Sequence, residues 1–189
     1  MHDPVVILAY VAALTTKIAL GTATLCAPFV APALLAKALS SLDVMSEGRL
    51  TAGLGMGWMP DEYAAVAVPF ERRGARMEEY LRCLEALWTT DPVEFSGEFY
   101  SVQRAHVGPR PRQRPHPPIL LGGASARALR RAGSMAQGWI AASGQTTGVI
   151  GASIESLRLA AIEARRDPAA LRIVVRGVDD RYREPAAKS

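Results

Sequence analysis

The chain has 189 residues, 49% of them apolar and 21% charged, with a formal net charge of +4. That balance excludes a disordered chain and allows one domain with a substantial apolar core. The small positive charge favours anionic ligands only weakly, and the two cysteines, Cys26 and Cys83, have neither metal-ligand spacing nor a disulfide framework.

Asp3 is placed to cap a helix that begins at Pro4 and runs to about Leu14. This apolar stretch is too short to cross a bilayer and is followed by Thr15, Thr16 and Lys17, so a cytoplasmic protein without membrane association is expected. Lys17 to Leu25 reads as a buried strand. Beyond a loop bracketed by Pro28 and Pro32, Leu35, Ala38, Leu39, Leu42 and Met45 recur at helical spacing. Gly48 is a left-handed cap for that helix. Leu50 to Leu54 is the next strand and runs into Gly55-Met56-Gly57-Trp58, with a turn at Pro60-Asp61-Glu62.

Phe70 to Trp88 is the clearest helix, with Met77, Leu81, Leu84 and Trp88 on one stripe. Its Glu78 and Arg82 form a favourable i,i+4 pair worth about 0.2–0.5 kcal/mol. Val93 to Val102, with Gly97 in the middle, is a hairpin. Gly108 to Pro118 is an extended connector. Ile119 to Leu121 is a third strand ending at Gly122-Gly123, and a helix from Ser125 to about Ala136 follows. Gly138 to Ala141 is a fourth strand and Gly144 to Gly151 a flexible loop. Ile154 to Arg165 is a helix with Ile154, Leu157, Ala161 and Ile162 inward, and Leu171 to Val175 is a fifth strand. Residues 179–189 form a polar tail. Strands separated by helices argue for a parallel sheet, either an incomplete barrel or an open doubly wound sheet. A complete eight-unit barrel typically needs about 250 residues.

In such folds ligands sit at the C-terminal ends of the strands. A Gly122-Gly123 turn opening a helix exposes backbone N–H groups that can hold a phosphate, with Ser125 as an added hydroxyl donor; a tight turn without a ligand is the alternative. Gly53-Leu54-Gly55-Met56-Gly57 is not a dinucleotide fingerprint, because the spacing is wrong and Pro60 interrupts the following helix. Its glycines suggest a flat surface that an aromatic ring can approach, and Trp58 either lines that surface or covers core. Asp61 and Glu62 can touch a substrate or serve a helix start. Cys26 is either buried or near a ligand, and Cys83 is a core residue. No metal motif and no nucleophile elbow occur. The run Arg104, His106, Arg110, Arg112, Arg114 and His116 is interleaved with proline rather than aromatics, which argues against nucleic-acid binding.

The segments Ile18 to Thr22, Gly48 to Trp58, Val68 to Arg76 and Pro115 to Gly123, together with Gly138-Trp139, resemble the bacterial luciferase-like monooxygenase superfamily, and most of all its F420-dependent oxidoreductase branch. The resemblance implies an α/β fold of the (β/α)8 TIM-barrel type. It also implies a cytoplasmic oxidoreductase acting on a small-molecule substrate with coenzyme F420, or alternatively FMN. Reduced FMN would activate O2, whereas F420 would exchange hydride with the substrate. Gly21, Thr22, Ala23 and Thr24 would then lie beneath the cofactor ring, with a cis peptide between Ala23 and Thr24. Gly55, Met56, Gly57 and Trp58 would lie beside the ring, and Gly122, Gly123 and Ser125 at the cofactor phosphate. Asp61, Glu62 and His106 are the acid–base candidates. Residues 1–178 would be a partial barrel lacking the family's first two strands and its last, with 93–118 as the family's insertion. Unpaired sheet edges would favour a homo-oligomer or a completing partner chain. A truncated, non-catalytic fragment or an assembly-only protein is the competing reading.

Overall fold

A computed structural model of the chain describes residues 2–176; the polar tail at 179–189 lies outside the described residues. The chain divides into two compact units, one up to Leu121 and one from Gly122 onward. Strands within each unit pair in parallel and alternate with helices, apart from one antiparallel hairpin. The architecture is that of an incomplete TIM-barrel-like fold.

In the first unit α1 spans Pro4–Leu14, and the Asp3 carboxylate accepts from the N–H groups of Val5 and Val6 at 2.8 and 3.0 Å. Such a cap is worth about 1 kcal/mol. The expected strand over 17–25 is instead two short pieces, β1 at Leu20–Gly21 and β2 at Leu25–Cys26. Both pair with β3, Leu50–Gly55. The backbone leaves the ladder between them, where the Ala23–Thr24 peptide is cis as the resemblance implied. The Thr22 hydroxyl replaces the missing ladder bonds. It donates to the Gly53 carbonyl at 2.7 Å and accepts from the Gly53 N–H at 3.0 Å. Sequence pattern missed this break because a side chain, not the backbone, carries the pairing.

A 3-10 turn at Ala27–Phe29 leads into α2, Pro32–Met45. Glu47 and Gly48 both adopt positive φ (56° and 83°) and end that helix. Arg49 then ties its surroundings together through carbonyl oxygens. Its Nε donates to Ser46, and its two Nη atoms donate to Ala12, Thr15 and Ile18. One guanidinium thus supplies acceptor-rich chain ends after α1 and α2 with donors they lack.

β3 also pairs with β6, Ile119–Gly122, in the register Ala52↔Ile119 to Leu54↔Leu121. Between them the expected turn after Trp58 is a short helix, α3, at Pro60–Ala65. α4 covers Arg73–Thr89, starting three residues later than Phe70 because Arg72 is left-handed at φ 57°. Met77, Leu81, Leu84 and Trp88 are all buried, and each such side chain contributes about 1.5–3 kcal/mol. Trp88 Nε1 donates to the Ala36 carbonyl of α2 at 3.2 Å, and the Tyr80 hydroxyl donates to the Val30 carbonyl at 3.0 Å.

The hairpin is β4, Val93–Ser96, with β5, Ser101–Ala105. Its tip is held to α4 by one carboxylate. Glu79 accepts from the N–H groups of Glu98, Phe99 and Tyr100 at 2.9, 2.7 and 2.7 Å. Gly97 is required there, since an added Cβ would lie 2.2 Å from Glu79 Oε1. The 108–118 segment carries no helix or strand. It is anchored by the buried Asp43 carboxylate, which accepts from Gln113 N at 2.9 Å and Gln113 Nε2 at 2.7 Å. Arg110 is spent on the carbonyls of Leu87 and Thr90 at the end of α4.

In the second unit α5 spans Ala126–Met135, β7 Gly138–Ile140, α6 Thr147–Glu163 and β8 Arg172–Val174. β7 and β8 pair in parallel, Trp139 opposite Ile173. The loop expected over 144–151 is shorter than the glycines suggest, because Thr146 caps α6 and carries Gly148 and Gly151 into it. Gly133 lets α5 and α6 approach closely, as a Cβ there would meet the Leu157 carbonyl at 2.4 Å. The inward stripe of α6 is Ser153, Leu157, Ala160 and Ala161. Ile162 is not inward as expected but 57% exposed, one residue past the buried stripe.

Candidate functional site

The first unit presents its candidate residues at the tips of β1, β2 and β3. Gly21 to Leu25 form one wall of a cavity of about 490 Å3, and His2, Pro4, Ile7 and Leu8 of the α1 end form the other. The α1 contribution was not legible in the sequence. Asp3 and Pro4 signalled a helix start, but only the fold turns that start toward the 21–25 segment.

Gly55 and Gly57 belong to a tight packing motif. A Cβ at Gly55 would lie 2.6 Å from Thr24 Oγ1. A Cβ at Gly57, where φ is +74°, would lie 2.7 Å from Cys26 Sγ and 3.3 Å from Phe29. On the side where a Cβ would point, these two positions are therefore occupied by the chain's own Thr24 and Cys26 side chains rather than open to a ligand ring. Tyr63, fully buried on α3, completes the motif. Its hydroxyl donates to the Met56 carbonyl, and its ring meets Phe29 and Phe70 edge-on at 4.9 and 5.2 Å. Burial, and then the Glu62 charge, push the Cys26 thiol up to about 12. Cys26 is consequently a neutral packing thiol at physiological pH. Cys83 is buried as expected, and burial first, then Glu79, push its thiol up to about 11. Trp58 does not cover core: it is 77% exposed.

Asp61 and Glu62 are exposed in the first turn of α3, where Met59 and not a carboxylate holds the cap position. Glu62 is the one whose charge reaches the β2 tip, through Cys26. His106 is placed elsewhere. Its Nδ1 lies 2.7 Å from Asp91 Oδ1, beyond the last turn of α4, and among the described residues no hydrogen bond or ion pair joins it to Asp61 or Glu62. His106 is thus not brought together with Asp61 and Glu62.

The second unit carries the glycine turn. Gly123 has φ +120°, and an added Cβ would strike Ala128 at 2.8 Å. Its carbonyl accepts from Trp139 Nε1 at 2.6 Å, which fastens the turn to β7. Ser125 caps α5 by accepting from the Ala128 N–H at 3.2 Å. Helix geometry leaves the N–H groups of Ala126 and Arg127 without intrahelical acceptors. Residues 123–127 are exposed, so these donors face solvent and not apolar side chains. Backbone donors, a helix dipole and a Ser hydroxyl are what an anionic group requires.

No helix among the described residues is long and apolar enough to cross a membrane. Among characterised relatives, the chain is 35% identical over 160 residues to the FMNH(2)-dependent dimethylsulfone monooxygenase of Pseudomonas putida, covering 83% of this chain and 44% of that protein. Monooxygenase RslO1 from Streptomyces bottropensis superposes with a TM-score of 0.82 at 30% identity, over 92% of this chain and 53% of that one. The coenzyme F420 dependent tetrahydromethanopterin reductase of Methanopyrus kandleri superposes with a TM-score of 0.81 at 22% identity, over 92% and 54% of the two chains. The chain thus spans about half the length of the relatives it matches. The family described as luciferase-like monooxygenase matches residues 1–178, and on that match the chain belongs to the luciferase-like monooxygenase family.

Proposed function

We propose that the chain serves a flavin-dependent oxidation of a small organic substrate, with FMN as the cofactor. The observation that carries this reading is the 35% identity over 160 residues to an FMNH(2)-dependent monooxygenase. The F420 reading, which branch resemblance first favoured, is supported at 22% identity by likeness of fold alone. When bound, reduced FMN would supply the electrons that activate O2.

The residues of this chain would bind and orient it. Gly123, Ser125 and the first N–H groups of α5 would hold the phosphate, because they are exposed at a helix start, with the half-buried Gly122 ending β6 just before them. Gly21, Thr22, Ala23 and Thr24 would wall the ring, since they line a cavity of about 490 Å3. Gly55, Met56 and Gly57 would act indirectly, holding the β2 and β3 tips in register. Trp58 is exposed and free to cover a bound ring. Glu62 is the better acid–base candidate, ahead of Asp61 and His106. We also propose that residues 1–178 act as one partial-barrel domain with 93–118 as its insertion. Association with a second copy or a partner chain belongs to the same proposal, because unpaired strand edges favour pairing.

The test is a titration of the chain with FMN and, separately, with F420, followed by fluorescence quenching. Micromolar binding of FMN, weaker binding of F420 and loss of FMN binding in Gly123→Asp are expected. Tighter F420 binding would reverse the choice of cofactor. Binding of neither, together with concentration-dependent light scattering, would favour an assembly role without catalysis.

A further inference from the structure

A second cavity, of about 500 Å3, lies in the first unit among the turn after β2, the segment between α3 and α4, and the hairpin tip. Its walls mix apolar side chains, Phe29, Val30, Val68 and Phe99 among them, with nearly as much polar surface. Three polar side chains stand among those walls, Arg76, Glu98 and Tyr100, and the first and last lack partners for part of their polar atoms. Arg76, in the first turn of α4, is only 7% exposed. Its Nη1 donates to the carbonyls of Pro69 and Glu71, and its guanidinium lies 4.8 Å over the Phe99 ring. Among the described residues no carboxylate forms an ion pair with it, and its Nε and Nη2 find no acceptor. Glu98 also lines the cavity but is engaged through both oxygens by Arg72.

The other group short of partners is the Tyr100 hydroxyl, which is buried and has no hydrogen-bond partner among the described residues. Its ring packs edge-on against Tyr80 at 5.3 Å, which fixes its direction. Burial pushes this hydroxyl up to about 12 while the Arg76 charge pulls it down, so the two groups feel one another. A buried cation without a counter-charge and a buried hydroxyl without a partner are both unfavourable, and one anionic group can satisfy both.

We propose that this cavity binds a small organic anion, its carboxylate-type head on Arg76 and Tyr100 and its apolar body against Phe29, Val30 and Phe99. The planar guanidinium fork matches a carboxylate, and the volume is in the range of small-molecule sites. Glu98 nearby favours a monoanion over a multiply charged ligand. The site stands apart from the cofactor reading and survives its failure.

The test uses benzoate as probe and benzyl alcohol as its neutral counterpart, titrated into the full chain and followed by amide chemical shifts. Saturable benzoate binding is expected, with shifts gathered at residues 66–69 and 98–100 and at least tenfold weaker binding of benzyl alcohol. Tyr100→Phe should weaken benzoate about fivefold and Arg76→Gln abolish it. Because Arg76→Gln also loses two carbonyl contacts and can unfold the chain, Val68→Trp provides an independent arm. It fills the cavity without touching those contacts and should remove binding while the melting temperature stays within a few degrees. Absence of saturable binding, equal affinity for the alcohol, shifts centred elsewhere, or unchanged affinity in both Tyr100→Phe and Val68→Trp would overturn the proposal.

Discussion

The glycines at the tip of β3 and the glycine at the tip of β6 look alike in sequence and are used in different ways. Gly55 and Gly57 make room for other parts of the protein, Thr24 Oγ1 at 2.6 Å and Cys26 Sγ at 2.7 Å from where a Cβ would be. Gly123 instead turns the backbone at φ +120° so that an exposed run of N–H groups follows it. The first pair serves internal packing and the second serves an outward-facing loop. A glycine-rich strand end is therefore not evidence of a ligand surface until the direction of approach is known.

Several measurements would break or sharpen this contrast. The largest effect is a rate. With its thiol pushed up to about 12 by burial and Glu62, Cys26 should hold at pH 8 a thiolate fraction roughly two to three orders of magnitude below that of an ordinary thiol and so react far more slowly with iodoacetamide. Rapid alkylation of Cys26 in the folded chain would show that the Gly57–Cys26 contact is open. Next, Gly57→Ala combines a left-handed φ with a clash, and we expect it to lose about 2–4 kcal/mol in urea unfolding.

Gly55→Ala carries the clash without the positive φ, so about 1–3 kcal/mol is expected. Most of that loss should vanish in a Thr24→Ala background, since Thr24 Oγ1 is the atom in the way. Gly123→Ala should behave in the opposite manner. Ala128→Gly removes the atom 2.8 Å away but not the φ of +120°, so a double variant should recover little stability. Equal rescue at the two sites would end the distinction between them. The smallest effect is Ser125→Ala, which removes the α5 cap and should cost about 1 kcal/mol, read as a lower urea midpoint. A neutral Ser125→Ala would mean that its hydroxyl does not hold the Ala128 N–H.

Much of the framework was legible because local rules suffice for it. Asp3-Pro4 specified the start of α1, and the Met77, Leu81, Leu84, Trp88 stripe specified the buried face of α4. The strand cores around Leu54 and Leu120 follow from short apolar runs ending in glycine. The misreadings cluster where a distant group takes over a local task. The Thr22 hydroxyl carries strand pairing across a gap of 31 residues, which no periodicity reveals. Thr146 starts α6 ahead of two glycines that by propensity belong to a loop.

The candidate site divides in the same manner. The Gly122-Gly123-Ser125 turn could be read from sequence, because a glycine pair before a capped helix is a contiguous signal. The α1 wall of the 21–25 cavity, the Tyr63 bond to Met56 and the unpaired Arg76 charge could not, since each joins residues that composition and spacing leave unrelated.

By itself the sequence determined most of the helices and strand cores and one turn where the chain can expose backbone donors, because those choices depend on neighbours within a few residues. Only the tertiary structure decided which glycines face a neighbouring side chain and which face solvent. It alone decided which polar groups are left without partners. Those outcomes depend on close approach between elements far apart in the chain, and such approach has no local signature.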